Sequence, residues 1–167
     1  LISVVPNLGP IVTVLTEKEI RSIYVVRAAL EGLAGRLFAE NATDSQCAKL
    51  KKLGDRLDKE YRKGNIESRE HIKAEFYTLL TEGSDNAVLA ESLSSMHARI
   101  AMFRRFAFVD ESRIEPSIAE LETIINAAAV TRDGDAAAAA CEHHIQLAGE
   151  LAIAEYMKRN KAILSEG

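Results

Sequence analysis

The chain has no tryptophan, only three prolines and only two cysteines in 167 residues. So little proline leaves long stretches free to be helical, and abundant alanine favours that outcome. Cys47 and Cys141 lie too far apart in sequence for a metal-binding spacing and are too few for a disulfide framework. Both fall in apolar helical patterns and read as buried, reduced thiols. No apolar run is long enough to span a membrane. The first residues lack a basic leader and contain Pro6, Gly9 and Pro10, so they do not read as a signal peptide. The cytoplasm is the expected location, with no membrane partner. A net charge of −4 weighs against this chain gripping nucleic acid by itself, because phosphate binding needs a positive field. The short basic clusters Lys49-Leu50-Lys51-Lys52 and Arg104-Arg105 read as solvated helix faces. Catalytic motifs are missing too: no Gly-rich phosphate loop, no His-Glu-x-x-His, no Cys-x-x-Cys and no nucleophile elbow. An enzyme is not expected.

What is present is helical periodicity. Residues 1–5 and 11–14 are rich in β-formers around the turn signal Pro6-Asn7-Leu8-Gly9, which predicts a hairpin. An isolated hairpin is marginal, so this one is expected to belong to a domain upstream. The start at Leu1 rather than Met fits that expectation. Thr16-Glu17-Lys18-Glu19 is a capping box, and it opens a first helix over 16–41 with an apolar stripe at Ile20, Ile23, Tyr24, Leu30, Ala34, Leu37 and Phe38. Thr43-Asp44-Ser45-Gln46 is a second capping box. It starts a helix carrying Cys47, Leu50, Leu53, Leu57 and Tyr61, closed by the glycine signal Lys63-Gly64-Asn65. Further helices are predicted over 67–82, 87–108, from Pro116 to the Arg132-Asp133-Gly134-Asp135 turn, and from the 136–140 alanine run to about Lys158. The fold class is therefore all-α: an antiparallel six-helix bundle over residues 16–160, preceded by a hairpin over 1–15 and followed by a frayed tail over 161–167.

Few polar residues break the inward stripes. Arg27 lies on the apolar face of the first helix, and a buried guanidinium needs a partner. Two readings stay open: it pairs with Glu31 one turn on, or with an acid on a neighbouring helix; or it faces a cavity and meets an anionic ligand. His144 sits on the stripe of the last helix, where a histidine is more often a satisfied core residue than a ligand. His143 points roughly 100° away, toward solvent. Lys73 and Tyr77 are one turn apart on the third helix. His71 and His97 lie near the edges of their stripes. An arginine, a histidine and a tyrosine converging from different helices would be the make-up of an apolar pocket with a few fixed polar groups.

The order and spacing of several segments resemble the C-terminal effector-binding (FCD) domain of the FadR subfamily of GntR-type transcriptional regulators. Residues 1–15, with Pro6-Asn7-Leu8-Gly9-Pro10-Ile11-Val12, resemble the wing of the family's N-terminal winged helix-turn-helix. Ile23-Tyr24-Val25-Val26-Arg27-Ala28-Ala29-Leu30-Glu31 resembles the opening helix, and Asp85-Asn86-Ala87-Val88-Leu89 the start of helix four. Glu120-Leu121-Glu122-Thr123-Ile124, Arg132-Asp133 and the alanine-rich run to His144-Ile145 resemble the closing helices. Six helices are closer to the VanR-like branch than to the seven-helix one. The resemblance implies a homodimer that binds a small organic-acid metabolite and so controls operator DNA binding by an N-terminal domain. Many members hold a metal with one Asp and three His. Here the Asp-x-x-x-His positions are Lys73 and Tyr77, the next histidine is Leu121, and only His144 matches. The resemblance therefore implies a degenerate, metal-free site with no cofactor, with Lys73 near the place of the ion's charge. Arg27, Lys73, Tyr77, Arg99 and His144 are the expected ligand-binding residues. The alternative is a helical dimerisation or interaction module with no small ligand. Helices one and four are the expected dimer seam, on stripe width alone.

Overall fold

The computed structural model of the chain describes residues 2–5, 9–12, 15–101, 103, 108 and 110–165. The turn expected over 6–8, the basic pair Arg104-Arg105 and Phe106 lie outside these residues. Strand β1 (Ile2–Val5) pairs antiparallel with β2 (Gly9–Val12), Ile2 opposite Val12 and Val5 opposite Gly9. The rest of the described chain is all-helical, as expected.

Helix α1 (Glu17–Asn41) opens on the predicted capping box: Thr16 accepts from the Glu19 amide, and Glu19 accepts from the Thr16 amide at 2.7 Å. Helix α2 (Asp44–Leu57) opens the same way with Thr43 and Gln46. It continues as a π-helical turn, Asp58–Arg62, that carries the buried Tyr61. Gly64 follows because a Cβ there would lie 2.1 Å from the Glu60 carbonyl oxygen. Helix α3 (Ile66–Gly83) is capped by Asn65, and α4 (Ala87–Arg99) by Asn86. Helix four was expected to reach Phe108. Instead α4 closes at Ile100, and helical conformation returns at Ala101, Phe103 and Phe108. A short 3-10 turn, Glu111–Arg113, leads into α5 (Ile114–Ile125), with Pro116 in its first turn. A second π segment, Asn126–Thr131, extends α5. Helix α6 (Gly134–Ser165) outruns its expected end near Lys158.

One core joins the six helices given above; Phe38, Leu50, Leu57, Ile72, Phe76 and Leu121 are among its fully buried side chains. Helix α1 packs most extensively on α6. Their approach is too close for side chains at the crossing: a Cβ on Gly35 would sit 2.8 Å from Cys141 Sγ and 3.0 Å from the Ala137 carbonyl oxygen. Arg132, in the left-handed region at φ 54°, ends α5's extension and turns its guanidinium onto the Ala39 and Ala42 carbonyls at 3.0 and 2.7 Å. Those are the orphan carbonyls at α1's C-terminus, which has no basic residue of its own. Both cysteines are buried and free. Among the described residues no helix is long and apolar enough to cross a membrane.

Candidate functional site

The core is not wholly apolar. Its centre holds two polar networks built from all helices except α2. The first grows from α1. Arg27 and Glu31 are one turn apart, each 2% exposed, and Arg27 Nε donates to Glu31 Oε1 at 2.5 Å. Arg27 Nη2 donates to the Tyr77 hydroxyl of α3 at 3.0 Å, and the guanidinium lies 5.4 and 5.5 Å from the ring centroids of Tyr24 and Tyr77. His97 of α4 brings Nε2 to 3.0 Å from the same Glu31 oxygen, and its ring lies 4.9 Å from that of Tyr77. Burial alone would raise the Glu31 pKa, but Arg27 and His97 together hold it down at about 2. Burial also opposes Arg27's charge; Glu31 beside it more than compensates, so the guanidinium is held charged. With Glu31 ionised, His97 Nε2 is the donor.

The second network crosses from α3 to α5 and α6. His144 of α6 is 1% exposed, and its Nδ1 lies 2.6 Å from Glu120 Oε2 of α5. Arg113 reaches the same carboxylate at 2.8 and 3.1 Å. Burial first, and the ammonium of Lys73 second, lower the His144 pKa to about 4 against the opposing pull of Glu120. The Glu120 pKa is lowered as well: burial would raise it, but His144 and Arg113 outweigh burial. Glu120 is then an anion beside a neutral imidazole, so the ring proton sits on Nδ1. The other ring nitrogen, His144 Nε2, is buried and meets no hydrogen-bond partner among the described residues. Lys73 is buried, with its Nζ 5.6 Å from the Phe108 ring centroid. Nearby, Arg69 donates to the Tyr61 and Phe108 carbonyls at 2.8 and 3.1 Å.

Of the expected site residues, Arg27, Lys73, Tyr77 and His144 are all buried. Arg27 and Tyr77 bond directly, and Lys73 acts electrostatically on His144. Arg99 is exposed at the end of α4 and joins neither network. Of the two readings of Arg27, the ion pair with Glu31 is the one formed. His97 and Glu120 were not singled out by sequence. The signal for Glu120 was the short polar step beside Leu121 on an apolar helix; His97 carried none.

Two cavities lie nearby. One, of about 200 Å³, opens between α3 and α4 and is lined by Ala74, Tyr77, Thr78, Leu93 and His97, so it abuts the first network. The other, of about 380 Å³, runs along α1 and α6 past Arg21, Tyr24, Gly149 and Ile153. The larger lies on the α1–α6 flank and touches neither His144 nor Lys73; the smaller is closer to the chemistry. Among the described residues, no group of three or more His, Cys, Asp or Glu side chains is placed to hold a metal ion.

A helical core that fixes a few polar groups among apolar side chains has the ingredients of a small-ligand site. The model of the FCD domain matches residues 22–147, and the chain belongs to that family. FCD domains are the C-terminal effector domains of GntR-type transcriptional regulators, which places the chain in transcription regulation. Among solved structures, E. coli McbR/YncC superposes with a TM-score of 0.69 at 22% identity, over 99% of this chain and 73% of that one. At that identity the likeness is one of fold. Among curated proteins no sequence matches the chain.

Proposed function

We propose that the domain binds a small, carboxylate-bearing metabolite in its core, between α3 and α6. Binding then modulates operator recognition by a winged helix-turn-helix domain preceding α1. The observation that carries this is His144 Nε2, a buried polar atom with no partner among the described residues, on a ring that feels the charge of the buried Lys73. Lys73 supplies the charge for the carboxylate. Tyr77, whose hydroxyl already takes a hydrogen bond from Arg27, borders the same face of α3 and the cavity at His97. Arg27 holds Tyr77 in place while its own charge is met by Glu31.

A divalent ion does not suit these residues. One imidazole nitrogen, a nearby ammonium and the apolar Leu121 cannot replace a carboxylate and two further histidines. That supports a degenerate branch of the family, close to the VanR-like one. The β1–β2 pair then reads as the wing of the DNA-binding domain. The protein acts as a homodimer, for which exposed Val25, Val26 and Leu33 on α1 and Val88 on α4 offer an apolar seam.

The test is a thermal-shift screen of the purified chain against small carboxylates. A ligand at 100 times its Kd adds about 2.7 kcal/mol, which raises Tm by roughly 5–10 °C in a domain of this size. Lys73→Met should remove that rise while leaving the unliganded Tm near the wild-type value. If no carboxylate shifts wild type, the ligand-free interaction module becomes the better reading.

A further inference from the structure

The bonding of His144 says more about the ligand than its charge does. Nδ1 is committed to the ionised Glu120 at 2.6 Å, and Glu120 is held in turn by Arg113 at 2.8 Å. The ring proton is therefore on Nδ1, and Nε2 presents a lone pair. A lone pair accepts; it cannot donate to a carboxylate oxygen, and it would repel one. In this ring form His144 cannot be a donor to a bound carboxylate. A buried acceptor left unmet is costly, so native structures satisfy nearly all of them. Whatever occupies this place must bring a hydrogen.

We propose that the effector is a hydroxy acid: its carboxylate faces Lys73 and its hydroxyl donates to His144 Nε2. This rests on the reading of Lys73 and His144 as a ligand site. A keto acid offers only oxygen lone pairs to Nε2, and a plain alkanoic acid offers a C–H. Both leave the acceptor unmet, and a site built to bond a hydroxyl rejects analogues that lack it. Glu120 is then a positioning residue. It never touches the ligand, but it fixes which nitrogen carries the proton, as carboxylates do for ligating histidines elsewhere.

The experiment has two parts on the whole purified chain. First, the ¹⁵N–¹H correlation spectrum of the histidine rings is recorded without ligand. His144, assigned by its loss in His144→Gln, should show the Nδ1–H form with a pyridine-like Nε2; an Nε2–H form overturns the proposal. Second, calorimetric affinities are compared within matched sets differing only at one carbon: lactate, pyruvate and propionate, then 3-hydroxybutyrate, acetoacetate and butyrate. The hydroxy member of at least one set should bind about tenfold more tightly than its keto and plain partners. Glu120→Gln, whose amide serves either ring form, should shrink that preference while carboxylate binding persists. Equal affinities within every set overturn the hydroxy-acid inference and leave the carboxylate site standing. No binding by any member, with a Lys73→Met chain behaving identically, removes the site itself. Binding that appears only with added Zn²⁺ or Ni²⁺ and vanishes with chelator assigns Nε2 to a metal and overturns both.

Discussion

The Arg27–Glu31 pair makes the most demanding prediction. Substituting Glu31→Gln keeps the shape and an acceptor oxygen but removes the counter-charge. Arg27 is 2% exposed and cannot shed its proton, so the charge stays buried without its partner. Breaking one side of a buried pair costs about 3–5 kcal/mol, mostly because the other charge is left uncompensated. At about 2–4 °C per kcal/mol for a domain this size, Tm should fall by roughly 6–20 °C. The double variant Arg27→Met/Glu31→Met removes both charges and keeps apolar volume. Its stability should return to within about 2 kcal/mol of wild type, because well-packed apolar pairs replace buried ion pairs at little cost. His97, 17% exposed, can turn its freed nitrogen to water. Urea denaturation followed by circular dichroism, run as a double-mutant cycle, reads the coupling directly. Additive destabilisation, with the double as weak as the sum of the singles, would refute the argument. So would an E31Q chain within about 1 kcal/mol of wild type.

Two other perturbations follow from the same geometry. His144 is buried neutral with its pKa lowered from 6.5 to about 4. The unfolded chain takes up this proton first, so stability is full above pH 6.5 and falls as pH drops toward 4, by about 3 kcal/mol at most. His144→Asn should flatten that limb of the stability–pH curve; an unchanged limb would mean other groups cause it. Glu31 adds a second, more acidic loss between its ordinary value of 4.5 and about 2, as its charge is removed. At the α1–α6 crossing, Gly35→Ala should destabilise by about 1–3 kcal/mol despite alanine's higher helix propensity. The added methyl meets Cys141 Sγ and the Ala137 carbonyl, neither of which can swing away. A stabilised Gly35→Ala would show that the crossing is looser than described.

Most of the helical frame was legible because its signals are local. Thr16 with Glu19 and Thr43 with Gln46 cap the helices they were expected to cap, and the stripe Cys47, Leu50, Leu53, Leu57, Tyr61 is buried in full. The centre was less legible because it depends on contacts between helices. Glu31 was visible as a partner for Arg27, but its complete burial was not, since a glutamate on a helix is most often solvated. Ile23, Leu30 and Leu37, read as stripe positions, are only partly buried, while Ala28, Gly32 and Gly35 sit deeper. The reason is the close approach of α6, which selects small residues for the contact line and pushes larger ones to its edges. Glu120 became meaningful only when α5 and α6 met, because nothing in local spacing connects it to His144, 24 residues on. The two π-helical segments, at Asp58–Arg62 and Asn126–Thr131, have no sequence signature that separates them from ordinary helix ends.

The placement of the two networks bears on how binding would be felt at a distance. Arg27 and Glu31 tie α1 to α3 through Tyr77 and to α4 through His97, while Glu120 and His144 tie α5 to α6. Lys73 and Tyr77 stand one turn apart on α3, so that helix touches both networks. A ligand held by Lys73 and His144 would therefore bias α3 against α6, and α3 carries that bias to α1 through the Tyr77 hydroxyl. Helix α1 is tied at its far end by Arg132, so a shift of the helix would be expressed at the other end, near Thr16. On the proposed reading the DNA-binding domain attaches there. Tyr77→Phe cuts the link from α3 to α1 without touching either charge of the Arg27 pair. It should leave effector affinity within about threefold of wild type and weaken the change in operator affinity caused by effector in the full regulator. Equal loss in both would place Tyr77 on the ligand itself, and no loss in either would show that coupling takes another route.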